Sequence, residues 1–569
     1  MHRFEVWAPA ATRVDVEVGG RRVPMEPQAG GWFAAEVDDA GPGVAYAFSV
    51  DGAEPVPDPR SPSQPEGVFG PSVIVDHDAF PWTDTGWRGI HLPSAVVYEL
   101  HVGTFTSEGT FEAVIEKLDH LVELGVTAVE LLPVNEFSGT RGWGYDGVDL
   151  YAPHHHYGGP EGLKLLVDAC HHRGLGVIVD VVYNHLGPAG NFLGTFGPYF
   201  TDRYNTPWGD AVNLDGAGSD EVRTFFVDNA LMLLRDYHFD ALRIDAVHAL
   251  LDTSAMHLLE EMALAVEALS TRLGRPLFLI AESDLNDPRV VQRREAGGYG
   301  IDAQWSDDFH HALHTVLTGE RSGYYSEFGS MAQLATALRQ AFVYAGTHSE
   351  HRNRRHGRLD PRLPGHRFLG YLQNHDQVGN RALGERSSML MPPERLKVAA
   401  ALVLTAPFVP MLFQGEEWGA TTPFLYFTDH DDADLGAAVS EGRRSEFASF
   451  GWKPDDVPDP QDPATFQRSK LDWSTADDDL LDWHRGLIAL RRSVPGLLDY
   501  RLDAVDVDYD EVARWLVLRR PGVTVACNVG DSAVDVAAAG DVVLSAGEVK
   551  AGDGTVHLPP DSVAILVHG

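Results

Sequence analysis

Cysteine is nearly absent, with only Cys170 and Cys527 in 569 residues. They sit far apart in apolar stretches, so two buried thiols are expected and a disulfide framework is not. Basic residues are scarce too: 44 Lys and Arg against 83 Asp and Glu give a formal net charge of -39. Nucleic acid and anionic membrane both require clustered cations, so neither is an expected partner. Long apolar runs are also missing. No stretch reaches the roughly 20 residues of a membrane-spanning helix. The opening MHRFEVWAPAATRVDVEV has no basic segment leading into an apolar one, so no signal peptide is expected and a cytoplasmic location is. What is present is the composition of a folded protein, 44% hydrophobic and 10% aromatic. The chain is too long for one core, and two to four domains are expected.

Hydrophobic rhythm divides the chain. Near the N-terminus FEVWAPA, RVDVEV, GWFAAEV and AYAFSV alternate apolar and polar residues between Gly-, Pro- and Asp-rich turns, as short strands do. The Pro-rich stretch from Glu54 to Ser72 predicts an ordered strap or linker. From Ala95 the pattern changes to eight strand-like runs: AVVYELHVGTF, AVELLPV, GVIVDVVYNH, ALRIDAV, LFLIAES, AQWSDD, FLGYLQNHD and FVPMLFQGEEWG. Helical patterns such as FEAVIEKLDHLVELG and PEGLKLLVDACHHRG, each ending near Gly, separate most of them. Strand and helix in alternation predict an α/β fold, a (β/α)8 TIM barrel with insertions. An open doubly wound sheet is the rival, but no Gly-rich phosphate loop opens the first helix. After DWHRGLIALRRSVPG the chain returns to short strands, ARWLVLRR, VTVACNV, DVVLSA and SVAILVHG. The expected organisation is an N-terminal β-sandwich over residues 1–90, a barrel over 91–495 and a C-terminal β-sandwich over 496–569.

Polar residues interrupt the apolar runs where strands end, and in a barrel of this kind functional side chains gather there. The third run ends Asp180-Val-Val-Tyr-Asn184-His185, the fourth Arg243-Ile-Asp245-Ala-Val-His248, the fifth Ala281-Glu282-Ser283-Asp284 and the seventh Asn374-His375-Asp376-Gln377. Any one Asp alone reads more readily as a cap or salt-bridge partner. Carboxylates, an Arg and two His from four strand ends are harder to explain so, because buried like charges are costly. Paired carboxyls suit cleavage of a glycosidic bond, which needs one protonated acid at the leaving oxygen and one ionised carboxylate at the anomeric carbon.

Four segments resemble, in order, the four sequence regions of the α-amylase family of glycoside hydrolases (family 13): DVVYNH at 180–185, DALRIDAVH at 240–248, IAESD at 280–284 and QNHDQ at 373–377. The resemblance covers residues 95 to 480. It implies Asp245 as nucleophile, Glu282 as general acid/base and Asp376 as the carboxylate that grips sugar hydroxyls. It implies Arg243 beside the nucleophile, keeping it ionised, His185 and His375 bonded to the sugar in the cleaved subsite, and Tyr145 as the platform beneath it. His248 is placed among the substrate-binding residues, while Asp180 and Asn184 are expected to hold loops. No cofactor and no metal is implied.

Within that family the N-terminal sandwich resembles a glucan-binding module of branching, debranching and trehalose-releasing members. Branching enzymes usually carry a second Glu after the general acid, where this chain has Ser283, and they lack the Tyr-Asn-His ending. Debranching enzymes differ after the nucleophile, where this chain has Ala-Val-His248. DVVYNHLGPAGNFL, IAESDLNDPR, FQGEEWGATTPFLYFTDH and VPDPQDPATFQRSKLDW resemble the trehalose-releasing hydrolases. That resemblance implies hydrolysis of the α-1,4 bond next to a terminal α,α-trehalose unit of malto-oligosyltrehalose, with related α-1,4-glucans as ligands. It also implies a pathway partner, the synthase that makes the trehalose end, without physical contact. A branching or debranching activity is the alternative, and a glucan-binding protein without catalysis is a third reading.

The segment after the eighth run, with Glu417 and Tyr426, is a candidate wall for the trehalose side, although its aromatics serve equally well as loop core. His154-His155-His156 is expected to be a solvated loop rather than a metal site. The basic run HRNRRHGR, 351–358, is expected to answer the acidic surface.

Overall fold

The computed structural model describes residues 1–448, 453 and 456–568. All eight predicted runs form one closed parallel barrel: β1 Val97–Leu100, β2 Ala128–Leu131, β3 Gly176–Val181, β4 Ala241–Ile244, β5 Phe278–Ala281, β6 Ala303–Trp305, β7 Phe368–Gly370 and β8 Val409–Phe413, with β8 pairing back to β1. Period-2 alternation sorts their side chains. Val97, Ala128, Ile178, Ala241, Ile280, Leu369 and Val409 share a buried apolar cluster that fills the lower barrel. Two residues further along, β1, β2, β3 and β4 carry Glu99, Glu130, Asp180 and Arg243 on the same inward side, all buried. The fold thus places a polar layer directly on an apolar one, beneath the ends of the strands.

The predicted helices form with some breaks. Phe111–Ile115 opens on Thr110, whose hydroxyl accepts from Ala113 N, a cap worth about 1 kcal/mol. The following helix, Leu118–Leu124, ends on Gly125 at φ 95°, a conformation that favours glycine. No α-helix separates β5 from β6, and an irregular loop with one 3-10 turn runs between them. Long insertions follow β2 and β3: an antiparallel pair, Asn135–Phe137 with Gly147–Pro153, and a ribbon, Phe200–Thr206 with Gly209–Val212. Both rise over the C-terminal ends of the strands.

The four N-terminal runs divide between a three-stranded and a four-stranded sheet, and the four C-terminal runs all lie in one five-stranded sheet, beside a three-stranded sheet of Val534–Ala537, Lys550–Gly552 and Thr555–Leu558. The Pro-rich strap is ordered. Its Ser61 and Gln64 are buried against each other, and Arg60 reaches Tyr151 and Asp228 of the barrel layer. Cys170 and Cys527 are free and buried, and burial pushes the Cys527 thiol up to about 12. No described helix is long and apolar enough to cross a membrane.

Candidate active site

Strands β4 and β5 carry the central group. Arg243, fully buried, lays its guanidinium over the Trp305 ring at 4.1 Å and donates from one nitrogen to Asp245 Oδ1 at 2.8 Å and Asp180 Oδ2 at 2.5 Å. Its other terminal nitrogen lies 3.8 Å from Glu282 Oε2. One guanidinium therefore hydrogen-bonds Asp245 and forms a longer ion pair with Glu282. Asn184 fixes the second Asp245 oxygen, donating to Oδ2 at 2.8 Å. After Asp245 the chain turns through Ala246, whose left-handed φ of 41° is strained for a residue with a Cβ. The turn aims the Ala246 N–H at Glu282 Oε2, 2.6 Å away. Burial, and then the charge of Asp245, push the Glu282 carboxyl well above the usual range against the opposing pull of Arg243.

Insertion loops close the group from above. Tyr145 lies just before the second strand of the pair that follows β2, stacked on His375 with ring centres 5.2 Å apart. Its hydroxyl is 2.5 Å from Asp180 Oδ2 and 2.8 Å from His375 Nε2. His185 Nε2 donates to the Tyr145 carbonyl at 3.0 Å, and its ring stacks on Trp208 of the ribbon at 4.5 Å, nearly parallel. Burial lowers the His185 pKa, which favours the neutral ring. Asp376 stands at the start of a short helix capped by Asn374, half exposed, with Oδ1 3.7 Å from His375 Nε2. Asp180 is buried with its carboxyl raised to about 6, first by desolvation.

Asp245, Glu282, Asp376, Tyr145, His185, Arg243 and His375 are thus brought together. His248 is exposed and lines an adjoining cavity with Ser283 and Leu285. Glu417 is not part of the group. It is fully buried, and its carboxylate accepts from Tyr98 at 3.1 Å and His120 at 2.8 Å, so no sugar reaches it. Proximity in sequence to the eighth strand end misled here, because the 3-10 turn Glu416–Trp418 points Glu417 back under the strand. Phe424 and Phe427 are loop core. Tyr426 is half-buried, edge-on to Trp143 at 5.2 Å and beneath the Arg443 guanidinium, and so braces the loop that carries Tyr145.

The histidine run is solvated only in part, with His156 exposed, His155 half-buried and His154 buried. His154 is buried, and with His155 it donates to Glu136 Oε1 at 3.0 and 2.7 Å. These are hydrogen-bond distances, and the trio, close enough in space to offer ligands to one ion, ties the post-β2 pair to the chain beyond it. The basic run does more than answer surface charge: Arg352 pairs with Asp284 at 3.3 Å, and His356 bonds the Asp284 carbonyl at 2.8 Å, two residues after Glu282.

Four residues of the site region escaped the sequence reading. Glu99 faces His375, Glu130 lies beside Glu99, Trp208 stacks on His185, and Asp307 is held by Tyr371 at 2.5 Å with its carboxyl raised to about 7, chiefly by burial. A charge inside an otherwise apolar strand run, as in AVVYELHV and AVELLPV, is the signal that marks the first two.

A closed parallel barrel with this cluster over its strand ends defines a glycoside hydrolase. A model of the alpha-amylase catalytic domain matches residues 76–194, and a domain of unknown function (DUF3459) matches residues 501–565. Malto-oligosyltrehalose trehalohydrolase of Mycobacterium tuberculosis is 51% identical over 577 aligned residues, covering 100% of this chain and 99% of that protein. The Arthrobacter ramosus protein of that name is 52% identical, covering 99% of each chain. A crystal structure from Salmonella typhimurium, assigned provisionally as an alpha amylase, superposes with a TM-score of 0.92 at 39% identity, covering 100% of this chain and 97% of the other. The chain belongs to the malto-oligosyltrehalose trehalohydrolase family within the α-amylase group of glycoside hydrolases.

Proposed function

We propose that this enzyme releases trehalose from malto-oligosyltrehalose by double displacement, with Asp245 as nucleophile and Glu282 as general acid/base. The carrying observation is the Arg243 guanidinium, hydrogen-bonded to Asp245 and in a longer ion pair with Glu282. It holds Asp245 ready beside an acid that burial keeps protonated. In the first step Glu282 gives its proton to the glycosidic oxygen while Asp245 attacks the anomeric carbon, forming a glycosyl ester and freeing the trehalose unit. Glu282 then takes a proton from water, which attacks the same carbon, expels Asp245 and restores the original configuration. Asp376, His375, His185 and Tyr145 surround the sugar that carries this carbon.

The leaving group must lie on the Glu282 side, since the proton goes there. A cavity of about 320 Å³ opens on that side, lined by His248, Ser283, Leu285 and Tyr204, with the stacked rings of His257 and Tyr299 in its wall. We place the trehalose unit there. A compact disaccharide with no reducing end fits such a pocket better than an extended chain does. The relatives' names support the same substrate.

Incubation with malto-oligosyltrehalose and, separately, with maltopentaose tests the reading. Trehalose from the first and slow cleavage of the second are expected. Equal cleavage of both would remove the trehalose specificity, and shortened branches from amylopectin would favour a debranching activity instead.

A further inference from the structure

Glu99 is the one carboxylate of the inward-facing layer that bonds a residue of the site through both oxygens. It projects from β1, 1% exposed, with Oε1 2.5 Å from His375 Nδ1 and Oε2 accepting the His375 backbone N–H at 3.0 Å. The other ring nitrogen of His375 is 2.8 Å from the Tyr145 hydroxyl, and that hydroxyl is 2.5 Å from Asp180 Oδ2. These contacts form one chain: Glu99, His375, Tyr145, Asp180, Arg243, Asp245.

Counting protons along it fixes the state of each member. Asp180 also accepts from Arg243, so at neutral pH it is an ionised acceptor, and the single hydroxyl hydrogen of Tyr145 goes to it. Tyr145 oxygen must then accept from His375 Nε2–H. A second proton lies between His375 Nδ1 and Glu99 Oε1. The ring keeps it, because the nearby carboxylates outweigh burial and shift the His375 pKa upward. Both nitrogens of His375 then carry hydrogen.

We propose that Glu99 is a positioning residue for the reaction: it holds His375 as an imidazolium whose Nε2–H fixes the Tyr145 hydroxyl, and so sets the platform ring under the sugar. The proposal rests on the reading that this sugar occupies the space bounded by Tyr145, His375 and Asp376. The surroundings of His375 bear on its charge from every side. Glu99 of β1 and Asp376 of its own turn favour the cation. Arg243 of β4 opposes it, His101 after β1 is kept neutral by its burial, Asp180 of β3 lies on the far side of Tyr145, Glu130 of β2 is buried beside Glu99, and the rings of Trp143 and Trp305 exclude water. Burial alone lowers the His375 pKa, yet the carboxylates outweigh it and the net shift is upward. Burial, and next the charge of Glu99, push the Glu130 carboxyl far up, so it is neutral and does not compete for the imidazolium.

Two measurements test this. In enzyme labelled with 15N-histidine, the ring signals of His375, identified by their loss in His375→Asn, should report both nitrogens protonated at pH 7 in the parent and a neutral ring in Glu99→Gln. In the pH profile of trehalose release, Glu99→Gln should lower kcat at neutral pH with little change in KM. It should also move the alkaline limb toward acid by about one unit, a tenfold loss on that limb. Glu99→Asp, which keeps the charge, should restore the limb in part. A neutral His375 in the parent overturns the proposal, as does a Glu99→Gln profile that overlays the parent. If Glu99→Gln fails to fold, the parent ring signals and the Glu99→Asp limb decide. Failure of the parent to release trehalose would defeat the substrate reading alone, because the ring signals do not depend on substrate.

Discussion

At the scale of single residues, the proposed mechanism needs two carboxyls in opposite states, and Asp245 and Glu282 both lie within 4 Å of one guanidinium. Asp245 receives hydrogen bonds on both oxygens, from Arg243 and Asn184. Glu282 is largely buried and faces the Asp245 charge, so its proton is retained to higher pH. The sign follows: activity needs Glu282 protonated, so kcat/KM should fall as pH rises through its elevated pKa, later than an ordinary glutamate would allow. Asp245→Asn should remove turnover by several orders of magnitude, the scale seen when a unit-acting group is lost. Glu282→Gln should remove the Glu282 part of the alkaline limb, leave the part set by His375, and spare substrates whose leaving group needs no proton. A pH-rate profile on both variants checks this, and near-normal turnover in Asp245→Asn would reject the nucleophile. These residues were legible because each is polar at the end of an apolar run. Glu417 looked equivalent on the same ground, but no pattern in its sequence reports which way a 3-10 turn will aim it. Glu99 was legible as an anomaly, a charge among Val96, Val97, Tyr98 and Leu100, but its partner His375 lies 276 residues away.

At the scale of elements, the strands were readable and the insertions were not. Strand runs carry their own period, whereas a ribbon such as Phe200–Thr206 with Gly209–Val212 is polar on most positions and gains its place from what it covers. Its turn presents Trp208, 48% exposed yet stacked flat on His185, a histidine the rest of the site holds in place. An exposed aromatic fixed at the mouth of a cleft either shields the histidine or meets the sugar. Either role requires the flat face, so Trp208→Phe should keep most of the activity. Trp208→Ala should raise KM for malto-oligosyltrehalose several-fold while thermal stability changes little, since a surface position away from the core usually shifts it by less than about 0.5 kcal/mol. Steady-state kinetics with a melting curve on each variant separates the two effects, and an unchanged KM in Trp208→Ala would assign the ring to packing alone.

At the scale of the whole molecule, the barrel and the C-terminal sheets share one apolar core, and buried arginines add hydrogen bonds across it. The helix Pro393–Thr405 leads into β8, and its last carbonyls lack intrahelical donors. Arg520, on the strand Trp515–Arg520 of the five-stranded sheet, donates to the carbonyls of Thr405 at 2.6 Å and Ala406 at 3.0 Å, and also to Leu497 and Asp499. Arg491 adds bonds to Leu404 and Phe408. The helix dipole favours positive charge at this end, which offsets part of the cost of burying two guanidiniums. Arg519, one residue earlier, faces the other side of the same strand and pairs with Asp506 and Asp508 near the surface. The run ARWLVLRR showed two adjacent arginines, and the strand period assigns them to opposite faces without saying that one of them caps a helix of the barrel. The consequence is a sharp contrast. Arg519→Met breaks surface ion pairs worth at most about 1 kcal/mol. Arg520→Met strands up to three carbonyls, since Ala406 keeps a bond from Arg491, and each unsatisfied buried group costs about 1–3 kcal/mol. Calorimetry should therefore show a small change in Tm for the first and a drop of many degrees for the second. In Arg520→Met the C-terminal sheets, which we propose begin near residue 496, should also melt ahead of the barrel as a separate transition. Identical melting of the two variants would show that the C-terminal sheets are held by their apolar contacts and that the arginine caps contribute nothing to the junction.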